Sequence, residues 1–195
     1  KKMLSYKESL KILKETNALI EGHFILSSGL HSGQYVQCAQ LLSKPGKSIK
    51  ICNSLADKIN ENFNKIDLIL SPAMGGIIIG YEIGKILNKE TIFCERVNGK
   101  FVLRRNFEIL EGANVLIIED VITTGKSSLE CSNIVSHNKA NLVGYACIID
   151  RSNEKSVLKE KIVSQVKLDI PTYDENNLPD SLSKIKAIKP GTRFL

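Results

Sequence analysis

The stretch Glu119–Ser127 combines two adjacent carboxylates with two threonines, a glycine, a lysine and a serine. It follows the apolar run Asn114–Ile118, and a helical pattern begins near Lys126. Hydroxyl groups and a glycine between a strand and a helix offer backbone N–H groups, Oγ donors and a positive helix end, which suit a phosphate. The two acids, Glu119 and Asp120, suit instead hydroxyl groups or a hydrated metal ion. A ribose 5-phosphate carries both kinds of group.

Three other interpretations of this stretch can be weighed from the residues. Gly125-Lys126-Ser127 could end a Walker A loop, but Asp120 stands where that loop needs its first glycine. The two acids could form a receiver-domain pocket, which has no need of Thr-Thr-Gly beside it. A helix start merely capped by hydroxyl groups stays open.

Strands alternate with helices along the chain, which predicts an α/β fold built on a parallel sheet. Near-continuous apolar runs are typical of strands buried on both faces, and Asn98-Gly99 favours a hairpin. The predicted strands are Phe24–Leu26, Tyr35–Val36, Asp67–Leu70, Thr91–Glu95, Phe101–Arg104, Asn114–Ile118 and Leu142–Ile149.

Helical spacing predicts four helices. The first runs from Tyr6 to Ile20 and is closed by Gly22. The third runs from Ile77 to Leu87, and the fourth begins near Lys126. The second follows Pro45 and should bury one face, made of Ile49, Cys52, Ala56, Ile59 and Phe63.

The final 40 or so residues give a weaker pattern, punctuated by prolines and a glycine. They predict short elements that return to the N-terminal helix. The punctuating residues are Pro171, Pro179, Pro190 and Gly191.

Polar turns follow three of the predicted strands, at residues 71–76, 119–127 and 150–152. Ligands of open α/β sheets bind outside the carboxyl ends of the strands. The three turns should therefore meet at one edge of the sheet.

Composition narrows the class of protein. The 195 residues are 43% hydrophobic and 25% charged, which excludes wholesale disorder. No apolar run reaches the roughly 18–20 residues of a membrane helix, and no secretory pattern opens the chain. Five cysteines without C-x-x-C spacing indicate reduced thiols and a cytoplasmic protein. The net charge of +6 is scattered, so neither a nucleic-acid nor a membrane partner is expected.

Glu119–Ser127 and the strand before it strongly resemble the phosphoribosyl pyrophosphate (PRPP) motif of the type I phosphoribosyltransferases. The resemblance implies their fold, a central, mostly parallel sheet flanked by helices with a small hood from the N-terminal segment. It implies one domain over residues 1–195, with the hood mainly in 1–40 plus C-terminal contributions and the core at about 45–170. By the same resemblance, Glu119 and Asp120 hold the ribose hydroxyls, Asp120 being catalytic. The other residues assigned to PRPP are Val121, Ile122, Thr123, Thr124, Gly125, Lys126 and Ser127.

Further segments resemble the orotate phosphoribosyltransferases within that family. They are Phe24–Ser32, Tyr35, the Glu95–Lys100 loop with Leu103-Arg104-Arg105, and the strand end Ile149-Asp150-Arg151. The resemblance implies transfer of phosphoribose from PRPP to orotate, giving orotidine 5′-monophosphate and pyrophosphate. It assigns orotate to Tyr35, Thr123 and Arg151, and the pyrophosphate loop to Ala73, Met74, Gly75 and Gly76.

The loop after the fourth strand is expected to be a basic lid. Arg96 and Lys100 would bind PRPP, and Lys100 would take part in catalysis as the lid excludes water. Arg104 and Arg105 are candidates for further positive charge. Ser27 stands where many family members have lysine, and Lys126 where a small residue is common.

The resemblance also implies Mg²⁺ as the cofactor, held mainly by PRPP and water rather than by protein ligands, and a homodimer with shared active sites. Two alternatives stay open: a purine or xanthine phosphoribosyltransferase, and a non-catalytic PRPP sensor with the same fold.

The histidines and cysteines away from this stretch are interpreted as structural. None of the histidines has a partner at metal-ligand spacing, although His31 is a candidate to approach the base. The residues concerned are His23, His31, His137, Cys94, Cys131 and Cys147.

Overall fold

The structure is a computed structural model that describes residues 3–153 and 156–190. Gly191 of the C-terminal pattern lies outside the described residues. The described helices are α1 (Tyr6–Glu15), α2 (Cys38–Leu42), α3 (Pro45–Asn62), α4 (Gly75–Leu87), α5 (Lys126–His137) and α6 (Asp180–Ser183). The described strands are β1 (Leu19–Ile25), β2 (His31–Val36), β3 (Leu68–Pro72), β4 (Glu90–Val97), β5 (Lys100–Leu103), β6 (Asn114–Ile122), β7 (Asn141–Asp150), β8 (Ile162–Lys167) and β9 (Thr172–Tyr173).

The larger sheet has the strand order β5-β4-β3-β6-β7-β8. All neighbouring strands in it are parallel except β4 and β5, which form the predicted hairpin. Asn98 and Gly99 turn this hairpin with φ of 50° and 80°, the left-handed geometry that short hairpins favour. The predicted fold class, a mostly parallel sheet flanked by helices, is confirmed.

Side chains of the central strands alternate between two cores, one on each face of the sheet. On β6, Leu116 and Ile118 enter the core shared with α1, α3 and α4. Val115 and Ile117 enter the opposite core, shared with α5. This alternation also decides which way the polar residues at the end of β6 point.

The first helix is shorter than its apolar spacing predicts, and Gly22 does not close it. Helix α1 ends at Glu15, because Asn17 takes a left-handed backbone with φ of 59° and Ala18 N–H donates to Leu13 O. Gly22 lies instead within β1, which pairs antiparallel with β2. Ile20 therefore belongs to a strand, and its match to the helical period is coincidental.

Helix α3 follows Pro45 as predicted, but its buried face is rotated. Cys52, Ala56 and Ile59 are buried, whereas Ile49 is only half-buried and Ile51 and Leu55 are fully enclosed. Phe63 is buried just after the helix ends. The short helix α2 has no counterpart among the predictions.

A second, three-stranded sheet has the order β1-β2-β9 and packs the N-terminal segment against the C-terminal one. Ile188 bridges to Phe24 beside it. Only β8 returns to α1 as predicted, where Gln165 Nε2 donates to Ser9 Oγ at 2.8 Å. The later elements join the N-terminal strands instead, because β9 supplies the outer partner of β2.

Within the described residues, no helix is both long and apolar enough to span a bilayer.

Candidate active site

The predicted polar turns after β3, β6 and β7 meet at the carboxyl edge of the larger sheet. A Cβ placed on Gly75 would lie 2.7 Å from Asp120 Oδ1, so the turn after β3 touches the end of β6. Arg151 N–H donates to Ile122 O at 2.8 Å, so the end of β7 touches β6 as well. Parallel pairing of β6 with both neighbours produces this meeting.

Glu119 and Asp120 lie within β6 rather than in the turn after it, since the strand continues to Ile122. The pleat sends them to opposite faces. Glu119 Oε1 accepts a hydrogen bond from Ser128 Oγ at 3.0 Å on the α5 face. Asp120 lies against Gly75 on the α4 face.

Both carboxylates have a pKa raised above the ordinary value for their residue type. Burial raises the pKa of Glu119 to about 7, against a smaller lowering by its hydrogen bond from Ser128. Burial also raises the pKa of Asp120, opposed by the N–H of Val121. Buried carboxyls with few partners are suited to accepting hydrogen bonds from hydroxyl groups of a ligand.

The turn Thr123–Gly125 leads into α5 with its N–H groups uncapped by any side chain. Gly125 has φ of +81°, and a Cβ there would lie 2.6 Å from Leu158 Cγ, so two constraints demand glycine. Val157 N–H donates to Thr124 O at 3.0 Å, which ties the turn to the following segment. The uncapped helix start, with its exposed threonines, has the features of a phosphate cradle.

Other assigned residues of this stretch differ in what they offer. The side chain of Ile122 is buried in the core and its carbonyl is occupied by Arg151. Any contact from Ile122 is therefore a backbone contact. Lys126 is exposed, and Ser127 is half-buried in the first turn of α5.

The predicted pyrophosphate loop lies at the start of α4. Ala73 N–H donates to Cys94 O at 2.8 Å, and the Ala73–Met74 peptide bond is cis. No side chain caps the helix start at Gly75, so its N–H groups are available to an anion. Gly76 is held close, since a Cβ there would lie 2.9 Å from Ile118 O.

A groove of about 770 Å³ joins the end of the sheet to the N-terminal strands. It brings together the three residues assigned to orotate, Tyr35, Thr123 and Arg151. Ser27, at the position where many family members have lysine, also lines it. The remaining described lining residues are Ile25, Leu26, Ser28, Thr124, Ser152, Asn153, Asp169, Ile170, Pro171, Thr172 and Pro190.

Arg151 lines this groove and has one N–H group without a partner among the described residues. Its Nε is buried without a hydrogen-bond partner in the described part of the chain, and burial lowers the pKa of the guanidinium. A buried donor without a partner is unfavourable by about 1–3 kcal/mol, and more when it is charged. An anionic ligand group would satisfy it.

Arg96 of the basic hairpin is bound to residues of its own chain. Arg96 Nη1 and Nη2 bind Glu130 of α5 at 2.9 and 3.1 Å, and Nη1 also donates to Gly99 O at 2.6 Å. The guanidinium lies 4.0 Å above the ring centre of Phe101. Arg96 is close enough for its charge to lower the pKa of Glu119 slightly.

Lys100 is not brought to the groove. It is exposed at the hairpin and lines a separate cavity of about 860 Å³ between β5 and α5. Arg105 is paired with Glu95, Nε to Oε2 and Nη2 to Oε1 both at 2.9 Å. Arg104 is exposed beside it.

The histidines and cysteines are structural where the sequence predicts it. His23 Nε2 lies 2.6 Å from His31 Nδ1, and His23 Nδ1 lies 2.8 Å from Ile185 O. The two histidines thus contact each other, and neither lines the groove. His137 is exposed at the end of α5. All five cysteines are free and buried, and Cys94 Sγ lies 3.2 Å from Cys131 Sγ.

Several residues of the site were missed by sequence reasoning. Ser128 donates to Glu119, and Glu130 accepts from Arg96. Residues two apart on a helix lie on different faces, so the two reach the site from different sides of α5. Asp169 and the segment 170–172 enter the groove from far along the chain, and no local signal marks them.

The fit of Mg²⁺ can be judged from the donors present. Among the described residues, no group of three or more histidine, cysteine or acidic side chains is arranged to hold a metal ion. Glu119 and Asp120 supply two carboxylates at the sheet edge. Mg²⁺ usually keeps several waters and binds one or two carboxylates plus substrate phosphates, so these residues fit the ion when PRPP supplies the rest.

Comparisons with known proteins agree with this geometry. Residues 39–179 match the family model of the phosphoribosyl transferase domain. An orotate phosphoribosyltransferase of Methylorubrum extorquens (strain PA1) is 43% identical over 189 residues, covering 96% of each chain.

Solved structures share the fold at lower identity. The orotate phosphoribosyltransferase of Aeropyrum pernix has a TM-score of 0.67 at 21% identity, covering 81% of this chain and 92% of that one. The adenine phosphoribosyltransferase of Thermoanaerobacter pseudethanolicus has a TM-score of 0.59 at 18% identity, covering 69% and 88%. Structures with this fold thus include enzymes named for different bases, whereas the relative at 43% identity is an orotate phosphoribosyltransferase. The chain belongs to the phosphoribosyltransferase family and, within it, to the orotate phosphoribosyltransferases.

Proposed function

We propose that this chain transfers the phosphoribosyl group of PRPP to orotate, forming orotidine 5′-monophosphate and releasing pyrophosphate. One observation carries the choice of base: the buried, unpartnered Nε of Arg151 in the groove beside the phosphate turn. Orotate carries a carboxylate that a guanidinium binds through two parallel hydrogen bonds. A neutral purine offers no such group.

PRPP would lie along the carboxyl edge of the sheet. The N–H groups at the start of α5 and the hydroxyls of Thr123 and Thr124 receive the 5-phosphate. Glu119 and Asp120 accept hydrogen bonds from the two ribose hydroxyls. Because they approach from opposite faces of β6, they fix the sugar ring and thus the direction of its anomeric carbon.

Departure of pyrophosphate leaves positive character on the sugar and negative charge on the leaving group. In this proposal, the N–H groups at the start of α4 and the guanidinium of Arg96 stabilise that negative charge. Bound Mg²⁺ supplies further charge neutralisation on the phosphates, with Glu119 and Asp120 as the carboxylates available to it. Asp120 is the catalytic residue in this scheme, because its carboxylate stabilises the positive charge that develops on the sugar.

Orotate occupies the groove. Arg151 binds its carboxylate, Thr123 lies at the junction with the phosphate turn, and Tyr35 flanks the base. Tyr35 is steadied by its own hydrogen bond to Gln37 Oε1 at 2.9 Å. Attack by the orotate ring nitrogen N1 forms the bond to the anomeric carbon as the C–O bond to pyrophosphate breaks, and the N1 proton passes to water or to the released pyrophosphate.

A homodimer with shared active sites would give Lys100 its role. Lys100 is exposed on the hairpin and away from the groove of its own chain, so it would act on a neighbouring site. A stripe of exposed apolar side chains on and before α4 supports self-association: Met74 is 84% exposed, Ile78 52% and Tyr81 62%. Mixing a Lys100→Ala chain with an Arg151→Ala chain should restore activity in the heterodimers.

A cytoplasmic location is part of the same proposal. It is supported by five cysteines that form no disulfide.

The decisive experiment follows the orotate absorbance on adding protein, Mg²⁺ and PRPP, with hypoxanthine, adenine, xanthine and uracil in parallel. Loss of the orotate signal that needs both PRPP and Mg²⁺ is expected. Turnover of a purine instead would assign the chain to the purine or xanthine enzymes. PRPP binding without any turnover would favour the sensor.

Arg151→Ala should raise the KM for orotate by roughly 10- to 100-fold and leave the KM for PRPP nearly unchanged. Arg151→Lys keeps the charge but loses the paired hydrogen bonds, so its KM for orotate should lie between those of the wild type and Arg151→Ala. Unchanged orotate binding in Arg151→Ala would remove this residue from the site.

A further inference from the structure

The groove contains two opposite charges that do not pair. Among its described lining residues, Arg151 is the only cation and Asp169 the only acid. Arg151 is half-buried and Asp169 is exposed, so a contact between them would be a partly exposed ion pair. Yet no residue in the described part of the chain partners Arg151 Nε, and no ion pair within 4 Å joins Arg151 to Asp169 there.

Asp169 is instead occupied by a neutral neighbour. Asn153 Nδ2 donates to Asp169 Oδ1 at 2.7 Å. Asn153 lies just after β7 and takes a left-handed backbone with φ of 45°. Asparagine adopts this conformation more readily than most residues.

The turn that carries both Arg151 and Asn153 is itself fixed. Asp150 Oδ1 accepts from Ser152 N–H at 2.8 Å and from Ser152 Oγ at 2.6 Å, with both residues buried. Asp150 O accepts from Leu168 N–H at 2.8 Å, which aligns the turn with the residue before Asp169. These bonds fix the backbone that carries Arg151 and align it with the residue before Asp169.

We propose that Asn153 is a positioning residue that holds Asp169 away from Arg151 and so keeps the guanidinium open for the carboxylate of the substrate. The inference rests on the proposed function and deepens it, because it names what makes the groove selective for an anionic base. Without the amide, Asp169 is free to pair with Arg151 and to compete with the ligand carboxylate. Pairing would turn the groove from cationic to neutral.

The test compares two nucleotides that differ only in that carboxylate. Orotidine 5′-monophosphate carries it and uridine 5′-monophosphate lacks it, so the ratio of their dissociation constants isolates its recognition. Asn153→Gly removes the amide and tolerates the left-handed backbone. It should weaken orotidine monophosphate binding by about two- to fivefold, the range for a partly exposed ion pair, with uridine monophosphate unchanged.

A second variant distinguishes competition from damage to the turn. Asn153→Gly combined with Asp169→Asn removes the competing charge, so it should restore the ratio to that of the wild type. Asn88→Gly is the matched control, since Asn88 also has a left-handed backbone, at φ of 53°, but lies at the end of α4 outside the groove. It should leave both affinities alone.

The outcomes separate the inference from the function it rests on. If the wild type consumes orotate and prefers orotidine monophosphate, but Asn153→Gly keeps that preference, the positioning role is wrong. A preference that is lost in Asn153→Gly and stays lost in the double variant also overturns it. If the wild type neither consumes orotate nor prefers orotidine monophosphate, the proposed function fails first.

Discussion

Arg96 on β4 and Glu130 on α5 form a bidentate ion pair, with Nη1 2.9 Å from Oε2 and Nη2 3.1 Å from Oε1. The pair joins the hairpin to α5, the helix whose first turn we propose as the phosphate cradle. It also places a guanidinium near Glu119, on the same face of the sheet. The hairpin is therefore tied to the site at its base even though Lys100 at its tip is exposed.

This pair yields a prediction about PRPP. Arg96→Ala should raise the KM for PRPP at least about tenfold, since a charged hydrogen bond to a phosphate is lost, while the KM for orotate changes little. Glu130→Gln removes only an exposed ion pair, worth at most about 1 kcal/mol, and should change the KM for PRPP less than about fivefold. Steady-state kinetics checks both, and equal losses in the two variants would mean that Arg96 acts only by holding the hairpin.

Glu119 makes stability depend on pH. Its pKa is raised from 4.5 to about 7 by burial, so the folded protein keeps a proton that the unfolded chain releases. The free energy of unfolding should therefore fall as pH rises from about 4.5 to about 7, by up to about 3 kcal/mol for this group, and level off above. Glu119→Gln cannot ionise at this position, so its free energy of unfolding should rise relative to that of the wild type as pH rises.

Urea unfolding at pH 5 and pH 8 measures this difference. Ser128→Ala is an informative companion, because the Ser128 hydroxyl lowers the pKa of Glu119. Its loss should extend the pH-dependent range upward. A constant gap between the wild type and Glu119→Gln at both pH values would contradict the raised pKa.

Gly125 is constrained by both its backbone and its neighbour, and a second glycine separates the two effects. Gly125 and Gly112 have φ of +81° and +77°, but only at Gly125 would a Cβ meet another residue, Leu158 at 2.6 Å. Gly112→Ala should destabilise by about 1–2 kcal/mol from its backbone alone. Gly125→Ala should lose about 1–3 kcal/mol more through overpacking and bind PRPP more weakly.

Denaturant unfolding and PRPP titration check the two variants together. Adding Leu158→Ala to Gly125→Ala should recover part of the extra loss. Equal destabilisation by Gly125→Ala and Gly112→Ala would show that the contact with Leu158 is unimportant.

Gly75 lies against the carboxylate of Asp120, which we propose to be catalytic. A Cβ at Gly75 would lie 2.7 Å from Asp120 Oδ1 and 3.0 Å from Oδ2, so Gly75→Ala must displace that carboxylate. We expect kcat to fall by about 10- to 100-fold, the size of effect that small misplacements have. Gly46→Ala is the control, because a Cβ there meets nothing within 4 Å in helix α3, and it should stabilise by about 0.5–1 kcal/mol without changing kcat.

Local sequence signals predicted the regular parts of the sheet well. The strands around residues 114–118 and 142–149 and the hairpin at Asn98-Gly99 are confirmed, because double-sided burial and left-handed turns leave marks in neighbouring residues. The predicted end of α1 was wrong, because a contact distant along the chain decides the structure there. Ile20 continues a helical spacing by chance, and only pairing with β2 makes its segment a strand.

The amino-acid sequence by itself identified the family and the turn that we propose binds phosphate. The strand, the two acids and the turn with its glycine are consecutive along the chain, so this pattern needs no distant partner. The tertiary structure alone decided which charges remain free. Glu130 engages Arg96, Glu95 engages Arg105, and Asn153 engages Asp169, while Arg151 stays unpaired at its Nε. Each pairing joins elements that only folding brings together, because hydrogen bonds depend on distances and directions that spacing along a chain does not set.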